Sequence, residues 1–123
     1  MEDSLIISAD DPILVTGAAG FIGSRVVENL LDRGFRNLIC FARASGNLER
    51  IEAIASRHPH AQVKVAKGNL LSRQDCDAAC KDAALIIHLA AGTGEKSFPD
   101  AFMNSVVTTR NLLDSSLRCS RLR

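Results

Sequence analysis

Apolar residues along the chain fall into four short blocks separated by stretches with helical spacing. The first block, Ile13 to Val15, is a compact run that leads into Gly17. Beyond it the period changes: Ile22, Val26 and Leu30 share one helical face, with Val27 and Leu31 beside them. Gly34 ends that helix, because glycine accepts the left-handed conformation in which helices often close. "NLICFA" reads as a second buried strand, and "GNLERIEAIASRHP" as a helix stopped near Pro59, since a residue before proline is pushed out of the helical region. "AQVKVAKG" alternates Val63 and Val65 with Lys64, as a third strand does. Ser72, three residues before Asp75, reads as the N-cap of a helix over "RQDCDAACKDA". "ALIIHLAA" is a fourth buried strand. Ser97 and Asp100 repeat the capping pattern, and from Phe98 onward Phe102, Val106, Leu113 and Leu117 share one face of a long closing helix.

Strands alternating with helices imply a parallel sheet, because crossover helices are what join parallel neighbours. The expected architecture is a three-layer αβα Rossmann-type α/β fold with strand order 3-2-1-4, cut off after the fourth βα unit. It occupies residues 12–123 as an incomplete dinucleotide-binding domain. Residues 1–11 are expected to be a flexible arm, since the first core strand begins only near Ile13.

Composition narrows the function classes. The 123 residues, 46% of them hydrophobic, suffice to bury a core. Fifteen Lys and Arg against fourteen Asp and Glu leave a net charge of +1, which offers no field for nucleic acid or an anionic membrane surface. The apolar run "AALIIHLAA" is far shorter than the roughly 20 residues of a membrane span. The acidic start "MEDSLIISADD" lacks the pattern of a signal peptide, so the four cysteines are expected to be reduced thiols in a cytoplasmic protein.

The chemistry is concentrated in "ILVTGAAGFIGSR", residues 13–25. Gly17, Gly20 and Gly23 form G-x-x-G-x-x-G between a strand and a helix. Such glycines give a tight exit from the strand, close approach of backbone to a pyrophosphate, and close packing of helix on strand. The helix N-terminus then presents free N–H groups and a partial positive charge to phosphates.

"TGAAGFIGS" resembles the fingerprint of the extended short-chain dehydrogenase/reductase family, the NAD(P)-dependent epimerases, dehydratases and reductases, and dihydroflavonol-reductase-like members in particular. "KGNLLSRQDCDAACKDAALIIHLAA" is similar to the family's "GDL…DVVFHLAA" block, and "NSVVTTRNLLDSS" to its "NVxGTxNLLEAA" helix. The resemblance implies cofactor contacts from Gly17, Ala19, Gly20, Phe21 and Ile22 in the turn. It adds Asn69, matching the family's aspartate near the adenine, with Leu70 packed on the ring, and Ala90 and Ala91 where the cofactor lies close to the backbone. Where NAD-preferring relatives carry a carboxylate for the ribose 2′-OH, this chain has Arg43 in "CFARA"; a guanidinium suits a 2′-phosphate, so NADP is favoured, with NAD the alternative. Arg25 is expected on the same side. Thioester-reductase domains share the "R-A" after the second strand and stand as the runner-up subfamily.

Two departures from the family pattern bear on activity. Aligning Asn111 with the family's "NLL" puts Ser105 where relatives usually have asparagine and leaves Asn104 one position early, about 100° around a helix. The family's Y-x-x-x-K motif delivers the proton that accompanies hydride transfer, and the chain has no tyrosine. The resemblance spans residues 12–118, which implies the amino-terminal part of a larger enzyme, not catalytic alone; the alternative is a stand-alone, non-catalytic NAD(P)-binding or interaction module. No replacement chemistry is evident. Cys76 and Cys80 lack the further ligands of a zinc site, His88 reads as a packed neutral ring, His58 and His60 flank Pro59 without a partner motif, and Ser72 and Ser97 read as caps. A homodimer is expected, through the edge of strand four or through the closing helix, whose Met103 and Val107 offer apolar surface on a second face.

Overall fold

The computed structural model describes residues 5–92 and 95–123. Four parallel strands, β1 (Ile13–Thr16), β2 (Asn37–Ala42), β3 (Gln62–Lys67) and β4 (Leu85–His88), form one sheet in the order β3-β2-β1-β4. Helices α1 (Phe21–Asp32), α2 (Glu49–Ser56) and α3 (Arg73–Cys80) connect them. After β4 a last helical stretch runs as α4 (Phe98–Phe102), a π-helical turn (Met103–Val107) and α5 (Thr108–Ser116).

The two central strands, β1 and β2, are covered on both sides, and the pleat sorts their residues. Ile13 and Val15 of β1 with Leu38 and Cys40 of β2 face Val27, Leu31, Ile51 and Ile54 of α1 and α2. Leu14 and Phe41 face the other way, onto Cys76, Ala79, Cys80 and Leu112 of α3 and α5. A strand covered on both faces reads as a continuous apolar run, which is why "ILV" and "NLICFA" were legible. β3 is an edge strand, and Val65 on it is 40% exposed.

Three local expectations change. The face of α1 that meets the sheet is Gly23, Ser24, Val27 and Leu31, rotated about one residue from the face led by Ile22, which is exposed. Gly23, having no side chain, lets the helix approach the turn more closely on that side. On the closing stretch the inward residues are Thr108, Asn111, Leu112 and Ser115, while Phe102, Val106, Leu113 and Leu117 point outward. The inward polar groups are satisfied there: Asn111 Nδ2 donates to the Leu70 and Leu71 carbonyls, and Ser115 Oγ donates to Asp77 Oδ1. The segment before β1 is tied down. Ile7 is buried in the core, the Arg36 amide donates to the Ala9 carbonyl, and Arg36 pairs with Asp10 at 2.9 Å; residues 1–4 lie outside the described residues.

Both predicted serine caps are present, Ser72 Oγ accepting the Asp75 amide and Ser97 Oγ the Asp100 amide. His58 turns out to close α2: its Nδ1 faces the Ile54 carbonyl at 3.0 Å and its Nε2 faces Asp32 Oδ1 at 2.8 Å. Both partners are acceptors, so the imidazolium serves both, and these two bonds hold the His58 pKa above the ordinary value.

Candidate functional site

The strand order reverses direction between β1 and β4, and in open parallel sheets that is where a crevice opens at the carboxyl ends of the strands. A cavity of about 450 Å³ lies there. Each strand contributes its exit: Gly17 to Gly20 after β1, Phe41 to Arg43 at β2, Gly68 to Leu70 after β3 and residues 89–92 after β4.

The turn after β1 is dictated by contact. Gly17 has φ of +66°, and a Cβ there would lie 2.9 Å from the Ala90 amide nitrogen, so both conformation and space require glycine. At Gly23 a Cβ would sit 1.9 Å from the Gly17 carbonyl oxygen, so the third glycine seats α1 on the turn. Gly20 is the N-cap of α1 and has no side chain to accept a first-turn amide. The helix therefore opens on the cavity with uncapped N–H groups, the arrangement that binds an anion.

Of the residues singled out in the sequence, Gly17, Ala19, Gly20, Arg43, Asn69, Leu70, Ala90 and Ala91 line the cavity. Phe21 and Ile22 do not; they stand on the first turn of α1, 72% and 65% exposed. Arg25 does not reach it either, and borders a recess between α1 and α2 with Arg50 and Arg57. The Asn69 amide oxygen accepts the Leu71 N–H at 2.9 Å, which fixes the side chain and leaves a second lone pair. Ser45, Gly46, Asn47, Lys96 and Asn104 also line the cavity and were not predicted to.

Asn104 reaches the cavity through the π-helical turn. In it the Thr108 amide donates to the Met103 carbonyl, five residues back, so one more residue fits in the turn than an α-helix allows. Val106, Val107, Thr108 and Thr109 are all β-branched and crowd an α-helical turn, and the hydroxyls of Thr108 and Thr109 donate to the carbonyls of Asn104 and Ser105 at 2.9 and 2.5 Å. The extra residue overturns the expected orientation of Asn104. Its Oδ1 accepts from Arg43 Nη2 at 3.3 Å, its Nδ2 donates to the Asp100 carbonyl, and Ser105 behind it accepts the Gly92 amide at 2.9 Å. The signal that the sequence held was the β-branched run.

The cysteines are packing residues. Burial pushes the thiols of Cys40 and Cys80 up to about 12 and raises those of Cys76 and Cys119. Cys76 Sγ lies 3.3 Å from the Leu70 carbonyl, and no metal-binding cluster occurs among the described residues. His88 is half-buried, and burial lowers its pKa.

A four-stranded parallel sheet in this order, with a glycine turn at its switch point, defines a Rossmann-type fold. The chain belongs to the NAD dependent epimerase/dehydratase family, whose model matches residues 13–123. It is 32% identical, over 96% of its length, to a 3 beta-hydroxysteroid dehydrogenase/Delta 5-->4-isomerase of Mycobacterium tuberculosis, and 32% identical to a dTDP-glucose 4,6-dehydratase of Streptomyces antibioticus over 86% of its length. It spans 31% and 33% of those relatives. Among solved structures it superposes on the UDP-Glc/GlcNAc 4-epimerase of Campylobacter jejuni with a TM-score of 0.78 at 24% identity, covering 90% of this chain and 35% of that one. It also superposes on a uronate dehydrogenase of Agrobacterium tumefaciens in complex with NAD, with a TM-score of 0.67 at 19% identity over 89% of this chain and 37% of that one.

Proposed function

We propose that this chain is the NADP-binding segment of an epimerase, dehydratase or reductase of its family, and that it is catalytically silent by itself. The observation that carries the reading is the uncapped start of α1, opening through Gly17 and Gly20 onto a cavity built from the carboxyl ends of all four strands. A nicotinamide dinucleotide fits its features. The first-turn amides of α1 would hold the pyrophosphate, Asn69 and Leu70 would receive the adenine, and Ala90 and Ala91 leave room for the cofactor against the backbone. Phe21 and Ile22 would take part through their backbone amides, their side chains being outside the cavity. When bound, the cofactor supplies hydride transfer.

Arg43 supports NADP over NAD. It stands on the cavity wall after β2 with no carboxylate beside it in the loop, and a guanidinium there pairs with a 2′-phosphate that a carboxylate would repel. In the free chain its Nη2 donates to Asn104, a bond that a phosphate would compete for. Absence of tyrosine supports the silent reading, since the family's proton donor has no counterpart here. The outward apolar residues Phe98, Phe102, Val106, Leu113 and Leu117 support self-association through the closing helix, and β4, an outer strand of the described sheet, is the alternative surface.

Calorimetry with NADPH and NADH tests the assignment. Micromolar or weaker binding is expected, roughly −8 kcal/mol or less favourable, with NADPH the tighter ligand. Equal affinity for the two cofactors removes the argument from Arg43, and hydride transfer to a carbonyl substrate at an enzyme-like rate removes the silent reading.

A further inference from the structure

Behind the cavity a closed circuit of hydrogen bonds joins three elements. Thr16 Oγ1, on β1, accepts the amides of Leu89 and Ala90 at 3.0 and 3.2 Å, and lies 2.6 Å from Nδ1 of His88. A hydroxyl has two lone pairs and one hydrogen. Both lone pairs are taken by amides, so the hydrogen goes to Nδ1, which must be the unprotonated nitrogen. The ring proton is then on Nε2, which donates to Thr109 Oγ1 at 2.9 Å. Thr109 in turn donates to the Ser105 carbonyl, and Ser105 Oγ accepts the Gly92 amide. The circuit leaves the exit of β4 at Leu89 and returns to it at Gly92.

That exit, residues 89–92, is a wall of the cavity, and Gly17 of the phosphate turn packs directly against Ala90. A shift of the exit by a fraction of an ångström therefore changes the turn as well as the wall. The two partners of the ring are fixed independently, Thr16 within the fully buried β1 and Thr109 on α5. His88 is the piece between them. A protonated ring would set a second N–H against the Thr16 hydroxyl, whose acceptor sites are filled, so the neutral tautomer is built into the geometry.

We propose that His88 is a positioning residue for the cofactor cavity, its neutral ring tying Thr16 of β1 to Thr109 of α5 and so holding residues 89–92 in place. For its effect on affinity the proposal rests on the cofactor reading. For the geometry of the strand exit it stands on the hydrogen bonds themselves.

The test combines NMR of the 15N-labelled full chain with calorimetry against NADPH and NADH. In the wild type the His88 proton is expected on Nε2. His88→Phe keeps the bulk of the ring and removes both nitrogens; it is expected to shift the amides of Leu89, Ala90 and Gly92 and to weaken the tighter cofactor about tenfold. His88→Asn, which retains an acceptor toward Thr16, is expected to return the Leu89 and Ala90 amides toward their wild-type positions. Thr109→Val leaves the ring in place and is expected to move the Nε2 resonance and the Gly92 amide. A proton on Nδ1, or a folded His88→Phe with unmoved amides and unchanged affinity, overturns the proposal. If His88→Phe does not fold, an unmoved Nε2 resonance in Thr109→Val overturns it alone. A wild-type chain that binds neither cofactor refutes the cofactor reading, while ring tautomer and amide shifts still decide whether His88 holds the strand exit.

Discussion

At the scale of the residue, Gly23 and Arg43 carry the sharpest expectations. A methyl group on Gly23 meets the carbonyl oxygen, carbonyl carbon and Cα of the turn, all backbone atoms that yield only if the turn moves. Gly23→Ala is therefore expected to destabilise the chain by about 3 kcal/mol, at the upper end of overpacking costs, read as a lower urea midpoint. An unchanged midpoint shows that the helix can back away from the turn without cost. Arg43→Ala leaves the fold intact, since the residue is exposed, and is expected to lower NADPH affinity about tenfold while leaving NADH binding unchanged. Comparable losses for both cofactors in calorimetry move Arg43 from the 2′-phosphate to a general role. Gly17, Gly20 and Gly23 were legible because each has a local need, a backbone angle, a missing side chain or a contact six residues away; the packing of Gly17 on Ala90, far along the chain, was not legible. Asn104 was misread because its orientation depends on a π turn that no periodicity rule anticipates.

The helices show what capping and amphipathic spacing do and do not specify. Ser72 accepts the Asp75 amide as its position in the pattern implied, and Ser72→Ala is expected to cost about 1 kcal/mol, again as a shift in the urea midpoint. A shift below a few tenths shows that water replaces the cap at no cost. For the closing stretch, spacing revealed an apolar stripe but assigned it to the wrong side. Burying Asn111 and Ser115 instead is favourable because α3 and the loop before it present matching partners, the Leu70 and Leu71 carbonyls and the Asp77 carboxylate, while Thr108 satisfies its hydroxyl on the Asn104 carbonyl of its own helical stretch. The partners of Asn111 and Ser115 lie about 40 residues away in sequence, beyond the reach of a helical period.

For the whole molecule, acid sensitivity and assembly follow from the same geometry. His88 has its pKa lowered by burial, so the unfolded chain binds the proton first: its contribution is full above the ordinary histidine value of 6.5 and is lost as pH falls through the lowered folded value. Asp77, lowered by the Ser115 hydroxyl and the Arg118 guanidinium, adds a loss at lower pH, below the ordinary carboxylate value of 3.8. His58 has the opposite sign, contributing below 6.5 and losing that contribution as pH rises through its raised folded value, but its partner Asp32 is exposed and solvent screens the pair, so its effect is small. Urea midpoints from pH 7 to pH 5 are thus expected to fall, and His88→Phe to flatten that fall; an equal slope in both assigns the acid sensitivity elsewhere. The outward stripe predicts a mass in light scattering that rises with concentration in the micromolar range. Val106→Lys is expected to disperse the assembly and Ile87→Lys to leave it; the reverse result moves the contact to the β4 edge.

What the sequence by itself determined is the set of features whose cause lies within a few residues: four apolar strands, the helices between them, the serine caps and the glycine turn, and from their alternation the order β3-β2-β1-β4. What only the tertiary structure decided is where surfaces of distant segments meet. It turned Asn104 toward Arg43, set Arg25 on another face, tied Ile7 into the core, and placed the His88 ring between two threonines, one of them 72 residues away. The physical reason is that hydrophobic period and local capping fix that an element forms and that it has an inner face. Which face turns inward, and which polar group is satisfied there, depends on the donors and acceptors that the rest of the chain brings to it.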